Sequence, residues 1–207
     1  MQLSDLIPPQ AAAGAALFLT WQSHHIFAIT RREVRRSPRQ LRFSGVGGKR
    51  SYAQEAFADC ALREGREEIG DAIAGLTSAP QTFFLPSQGE PYLIDLTDEP
   101  IQPRLVYEKR RHSSYGSMAD SLQPYYLVGF DGVLARRPTP QQELAAIVHL
   151  TDQHLHLFPG AGQDWPTVAA LCQAGVQIQT QAAMTLSPAA QLIPHGTARL
   201  LLTLQRN

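Results

Sequence analysis

The sequence predicts a mixed α/β fold of the α+β kind, a mixed β-sheet sandwiched between α-helices. Three observations lead there. Short apolar runs rich in β-branched and aromatic residues stand both before and after one well-marked helix. That helix opens behind a glycine-rich turn and stops at Gly70. The remaining helical patterns gather in the C-terminal third. Strands, a helix, more strands and then helices is not the order of repeating βαβ units.

In chain order, Pro8-Pro9 is followed by two strand candidates, Ala15–Trp21 and His25–Thr30, with a hairpin turn at Gln22-Ser23-His24. Arg31–Arg42, interrupted by Ser37-Pro38, reads as a loop, and Leu41–Gly48 as the approach to a glycine turn. A helix is expected over Tyr52–Ile69, with Ser51 and Gln54 spaced for a capping box. Ala56, Cys60, Ala61 and Ile69 supply its apolar face, and Gly65 within it costs about 1 kcal/mol relative to alanine. Further strands are expected over Gln81–Leu85, Tyr92–Leu96, Arg104–Glu108 and Pro124–Phe130, with a polar loop from Lys109 to Gln123 that holds His112 and Gly116. Glu143–Leu150 reads as strand or helix, and Asp164–Gly175 and Ser187–Leu204 as helical at least in part. The chain is therefore expected to be one domain, 1–207, with a C-terminal helical extension over about 160–207.

Composition narrows the function classes. Eighteen basic and eighteen acidic residues cancel, so no global field argues for nucleic acid or a membrane surface. The distribution is uneven: six arginines lie between Arg31 and Arg42, and six acids between Glu55 and Asp71. Cys60 and Cys172 are too few for a disulfide framework and lack metal-ligand spacing. The apolar run Ala11–Leu19 is short, split by Gly14 and without a basic leader, so neither a signal peptide nor a membrane span is expected, and the cytoplasm is the expected compartment.

The most informative residues are Glu64, Glu67 and Glu68, at i, i+3 and i+4. On a helix they emerge from one face within a turn, where like charges repel. A hard divalent cation reverses that balance, because Mg²⁺ takes oxygen ligands and keeps positions open for substrate phosphate. The residues alone thus point to a carboxylate-lined metal site behind a glycine-containing loop.

The stretch from Gly48 to Asp71 resembles the signature of the Nudix hydrolase family: Gly, five residues, Glu, seven residues, Arg-Glu, an apolar residue, any residue, Glu-Glu, any residue, Gly, apolar. From Glu55 the spacing runs through Arg63-Glu64 and Glu67-Glu68 to Gly70. The chain departs at three places: six residues separate Gly48 from Glu55, and Gly65 and Asp71 stand at apolar positions. The resemblance implies a Nudix fold and hydrolysis of a phosphoanhydride in a nucleoside diphosphate linked to another moiety. It implies Glu64, Glu67 and Glu68 as ligands of Mg²⁺ or Mn²⁺. Arg63 would brace one of them, most simply Glu67, and Glu55 would support the same charge network. Gly48 would open the phosphate-facing loop. Glu64 or Glu67 would serve as catalytic base, or else an acid from outside the box, Glu108 or Glu90. Pro138–Val148 looks like the acidic residue, here Glu143, and following strand found late in such domains.

Other features weigh less. The Arg31–Arg42 segment reads as a solvated loop with scattered ion pairs, or as a clamp for substrate phosphates with Arg42 among its contacts, or as a small nucleic-acid-facing patch. His24-His25 and His154/His156 are spaced for metal, and Tyr107, Tyr115, Tyr125 and Tyr126 for base stacking; structural roles are favoured for both sets. The expected partner is a small nucleotide-type substrate, with a homodimer possible and nucleic acid and membrane not expected. The competing function is a Nudix-fold sensor or regulatory module that binds a nucleotide-like ligand without efficient turnover.

Overall fold

The computed structural model describes residues 1–111, 123–159 and 164–204. The loop expected around His112, Tyr115 and Gly116 lies outside the described residues. The architecture is mixed α+β, with parallel and antiparallel strand pairs and helices.

A single helical turn, α1 (Leu3–Leu6), precedes β1 (Ala12–Trp21) and β2 (His24–Thr30). The pairs Thr20↔His25 and Trp21↔His24 leave Gln22 and Ser23 as a two-residue loop. Both have positive φ, 47° and 66°, the conformation of a type I′ turn, whose twist suits the flanking strands. The expected hairpin is there.

The expected arginine loop is not. Arg31–Arg36 form helix α2, and Gln40–Phe43 form strand β3. Thr30 caps the helix by accepting the Glu33 N–H at 3.2 Å, and Arg35 and Arg36 fill its last turn, where the helix dipole favours cations. Pro38 disfavours helix at the residue before it and so ends the turn.

After β4 (Gly47–Lys49) comes the long helix α3 (Phe57–Ile69), which starts later than the expected Tyr52. Instead of a Ser51/Gln54 capping box, the Ser51 N–H donates to the Glu55 carboxylate at 2.6 Å, and Glu55 N–H to the Tyr52 carbonyl at 3.2 Å. This fixes residues 51–55 as a turn. Gly70 ends α3 as expected, at φ 65°, in the left-handed region that favours glycine. A Cβ there would also strike the Gln141 side chain. One 3₁₀ turn (Gly70–Ala72) then delivers an unforeseen strand, β5 (Ile73–Thr77).

β6 (Thr82–Leu85), β7 (Tyr92–Ile94), β8 (Leu105–Arg111) and β9 (Gln123–Leu134) follow the apolar runs. Glu143–Leu150 resolves as strand β10 (Leu144–Leu150), buried at every position. A strand covered on both faces needs no polar–apolar alternation, which is why its sequence was ambiguous. α4 (Asp152–Leu155), α5 (Val168–Gln173), β11 (Gln177–Thr180), β12 (Gln191–Pro194) and α6 (Thr197–Leu204) complete the chain. The expected C-terminal helical extension thus contains two strands besides its helices.

The chain forms two compact units that alternate along the sequence. The first comprises Met1–Leu17, Gly47–Glu64 and Leu76–Asp131; the second comprises Phe18–Val46, Gly65–Gly75 and Gly132–Asn207. In the first, β4 pairs antiparallel with β1 (Ala15↔Gly48), β6 pairs parallel with β8 (Phe84↔Val106) and antiparallel with β7, and β8 pairs antiparallel with β9 (Val106↔Val128). Ala15, Cys60, Ala61, Leu105, Val106 and Val128 are buried there.

In the second unit, β10 lies between β2 and β11, antiparallel to both, and β12 pairs parallel with β3. Phe27, Phe43 and Phe158 stack in its core, with centroids 5.5 and 5.2 Å apart, among Ile29, Leu192 and Leu201.

Candidate functional site

The glycine turn and α3 are tied together by one side chain. Arg63 donates from Nε and Nη2 to the two carboxylate oxygens of Glu55, at 2.8 and 3.2 Å, and from Nη1 to Glu64 Oε1 at 2.7 Å. Its Nη2 also reaches the Lys49 carbonyl at 3.0 Å. Bidentate guanidinium–carboxylate pairing is among the stronger polar contacts available to a protein. Here Glu55 is only 6% exposed, so solvent screens the pair little. The Arg63 guanidinium holds the Glu55 carboxyl below its ordinary value, aided by the Ser51 N–H against the opposing effect of burial. Arg63 is correspondingly held protonated, first by Glu55 and also by Glu64.

Gly48 sits against the Glu64 carboxylate, and a Cβ at Gly48 would collide with both its oxygens. Close approach, not an unusual φ, is therefore what requires glycine here. The sequence-predicted residues Gly48, Glu55, Arg63 and Glu64 are thus brought into one constellation within the first unit. α3 continues with Glu67 and Glu68 at the predicted i+3 and i+4 offsets, and Glu64, Glu67 and Glu68 are all half-buried. The Glu68 carbonyl accepts the Gln141 N–H at 3.0 Å, so this end of α3 is held by the segment leading into β10.

The donor set suits a hard dication, since it offers carboxylates at i, i+3 and i+4 of one helix and a glycine that leaves Glu64 room. As the side chains stand, no group of three His, Cys, Asp or Glu among the described residues converges on one point.

Other predicted residues lie elsewhere. Glu108, on β8, accepts from Ser87 Oγ at 3.3 Å and lies 3.8 Å from the Arg110 guanidinium, while Glu90 is exposed. Arg42 is exposed on β3 in the second unit, its N–H donating to Glu33 at 3.3 Å. Glu143 is exposed ahead of β10. His25 pairs with Asp152 at 2.8 Å. Both ring nitrogens of His154 are engaged, by the Thr151 N–H at 3.1 Å and the Ala174 carbonyl at 3.2 Å, which leaves no lone pair for a metal. Tyr126 is buried, and desolvation raises its hydroxyl pKa, with Glu108 adding to the effect. Burial, then the Glu55 charge, pushes the Cys60 thiol up to about 11, so it is an inert core thiol.

Sequence reasoning missed Arg50. It donates to the Ala53 carbonyl at 2.7 Å and to the Pro9 and Ala11 carbonyls at 3.3 Å each, and stacks 4.6 Å from the Phe57 ring centroid. Arg50 thereby pins the turn that is one residue longer than the Nudix pattern. Its only sequence signal is its place between Gly48 and Ser51. Beside it opens a cleft of about 550 Å³ lined by Leu3, Ile7, Glu55, Phe57, Asp59 and Ile101, among others.

No family model and no curated protein matches the chain. Among solved structures it is similar to the solution structure of the E. coli ORF135 protein, at 15% identity and a TM-score of 0.42, over 70% of this chain and 78% of that one. It is similar to a MutT NUDIX hydrolase from Burkholderia pseudomallei, at 14% identity and a TM-score of 0.41, over 73% and 88%. A NUDIX hydrolase from Nitrosomonas europaea is matched at 11% identity and a TM-score of 0.39, over 69% of this chain and 58% of its own length. Likenesses of this depth say nothing about activity. On the Glu55–Gly70 spacing the chain resembles the Nudix hydrolases, and in the fold Arg63 joins Glu55 and Glu64 of that spacing beside Gly48.

Proposed function

We propose that the protein is a Nudix-type pyrophosphohydrolase, a divalent-metal-dependent enzyme that cleaves the phosphoanhydride of a nucleoside diphosphate linked to another moiety. The observation that carries this reading is the Arg63 bridge, which locks the loop glutamate Glu55 and the helix glutamate Glu64 together against Gly48. A helix of ordinary structural purpose would not need a buried carboxylate, a half-buried arginine and a Cβ-free neighbour around one acid.

In this reading Glu64, Glu67 and Glu68 would hold Mg²⁺ or Mn²⁺. When bound, such an ion neutralises phosphate charge and lowers the pKa of a coordinated water. Arg63 fixes the Glu64 carboxylate, and Glu55 fixes Arg63, so the acid at the loop-facing end of the set is oriented before substrate arrives. Gly48 keeps side-chain bulk away and exposes loop backbone to a phosphate. A base drawn from Glu64 or Glu67, or from Glu108, would take the proton of the attacking water.

The second reading, a sensor that binds a nucleotide-like ligand without turnover, is motivated by the residue added between Gly48 and Glu55 and by Gly65 inside α3.

The two separate in one experiment. The protein is supplied with Mg²⁺ or Mn²⁺ and a panel of dinucleoside polyphosphates, nucleotide sugars, dinucleotide cofactors and nucleoside triphosphates, and products are resolved by chromatography. Turnover that falls on the order of a hundredfold or more in Glu67→Gln and in Glu68→Gln supports the enzyme. Turnover unaffected by both substitutions refutes the assignment of the site. Tight binding without products, indifferent to metal, establishes the sensor instead. The compartment and any dimer belong to the same proposal: a cytoplasmic protein, able to pair with a second copy. No helix among the described residues is long and apolar enough to cross a membrane.

A further inference from the structure

The arginines that sequence reading favoured as a solvated, ion-paired loop are ordered and unneutralised. Helix α2 carries Arg31, Arg32, Arg35 and Arg36. Residues i and i+4 share a face, so Arg31 with Arg35 and Arg32 with Arg36 form two adjacent rows. These four line an open cleft of about 600 Å³ in the second unit, completed by Gln142 and Glu143.

Like charges at this spacing destabilise a helix, and the usual remedy is a carboxylate nearby. Among the described residues no carboxylate pairs with Arg32, Arg35, Arg36 or the neighbouring Arg39. Arg31 is held by a neutral group, its Nε donating to Gln181 Oε1 at 2.9 Å, so it keeps its full charge. The acid on α2 itself, Glu33, is turned to β3, where one of its carboxylate oxygens accepts the backbone N–H of Arg42 at 3.3 Å. One acid, Glu143, faces four guanidinium groups in the lining. A chain of zero net charge has concentrated four cations against one acid in this lining, with no ion pair between them among the described residues.

Guanidinium forks match phosphate oxygens two at a time, and two rows of them match successive phosphates. The lining includes no aromatic or aliphatic side chain, hence no platform on which a base could stack. The volume is that of a small-ligand site. We infer that this cleft is a second anion site, independent of metal, that takes a short chain of linked phosphates. That chain is either inorganic polyphosphate or the polyphosphate tail of a nucleotide.

The test is calorimetry on the full chain in EDTA at low salt, with inorganic tripolyphosphate as the probe. The expected result is one binding site that weakens as salt rises. Combined Arg32→Ala, Arg35→Ala and Arg36→Ala should weaken it by about tenfold or more, while Glu67→Gln leaves it unchanged. Should the triple variant melt early, the single charge reversal Arg35→Glu serves, with the same expected loss. ATP binding no tighter than tripolyphosphate identifies the phosphate chain itself as the ligand; tighter ATP binding, with none of AMP, identifies the nucleotide tail. Tripolyphosphate that does not bind, that binds the arginine variants as well as the parent, or that binds no better than orthophosphate overturns the inference. So does an RNA oligonucleotide that tripolyphosphate cannot displace. Because metal is excluded and Glu67 is varied separately, failure here leaves the hydrolase reading standing, and the reverse holds too.

Discussion

In the first unit Arg63 donates to the Glu55 carboxylate, to Glu64 Oε1, to the Lys49 carbonyl and, at 3.7 Å, to Cys60 Sγ. A lysine in its place keeps the charge but loses the fork, since an ammonium cannot hold two oxygens of Glu55 while reaching Glu64. If the proposed hydrolase reading holds, Arg63→Lys is expected to lower kcat/KM by about tenfold to a hundredfold, with a smaller loss of stability, because it loosens the Glu64 carboxylate proposed to hold the metal. Glu55→Ala leaves a half-buried arginine without its main partner and should cost on the order of 3 kcal/mol, read as a lowered urea midpoint. If Glu55→Ala proves as stable as the parent, the bridge is not the anchor described here. Gly48→Ala adds a methyl group where the Glu64 oxygens already lie. It should depress hydrolysis at least as strongly as Arg63→Lys while leaving the melting temperature within a few degrees, because the Glu64 side chain can give way without unpacking the core. Arg63 and Glu64 were legible as charged side chains at fixed spacing on a helix, whereas Gly48 and Glu55, which precede α3, were singled out only by the resemblance to the Nudix signature. Arg50 was not legible, because the groups it donates to are backbone carbonyls, of Ala53 nearby and of Pro9 and Ala11 far away in sequence, which carry no side-chain signature.

Among the elements, sequence pattern served where local chemistry decides and failed where a partner does. The β1–β2 hairpin and the end of α3 at Gly70 were readable because the turn conformations belong to the residues themselves. Gly70→Ala places a Cβ at φ 65° and into Gln141, so a loss of about 1–2 kcal/mol is expected, measured by chemical denaturation. An unchanged midpoint would show that the α3 terminus relaxes. The start of α3 was misread, because the Ser51/Gln54 box competes with Glu55, and the Glu55 carboxylate takes the Ser51 N–H. α2 was misread because six arginines beside Pro38 look like loop, although arginine is a good helix former and Thr30 supplies the cap. β11 and β12 carry little apolar pattern of their own. They are strands because β10 and β3 offer them an unpaired edge.

For the whole molecule, acid is the informative variable. His149, on β10, is 2% exposed, and burial lowers its pKa to about 4, with the Arg137 charge adding to the effect. The unfolded chain, with histidine at its ordinary 6.5, binds the proton first, so protonation pulls toward unfolding. Stability is full above pH 6.5 and is lost as pH falls from there toward about 4, by about 2–3 kcal/mol. Glu55 acts in the same sense further down: its carboxyl is held low, so its contribution is present above the ordinary carboxylate range and lost as pH falls through the depressed value. Urea titrations at pH 7 and pH 4.5 should differ by about 1 M or more in midpoint. His149→Leu should remove most of the difference between pH 6.5 and 4.5. A parent protein equally stable at both values would mean that His149 is reached by solvent.

The acid-bearing helix, the hairpin and the strand-rich α+β class were readable from the chain alone, because each is written in spacings of a few residues. Only the tertiary arrangement made β10 a covered strand and not a helix, turned the C-terminal stretch into two edge strands, and set four arginines against a single acid around one cleft. Those outcomes depend on which distant segment lies alongside, and a chain read in order contains no term for a neighbour it has not yet met.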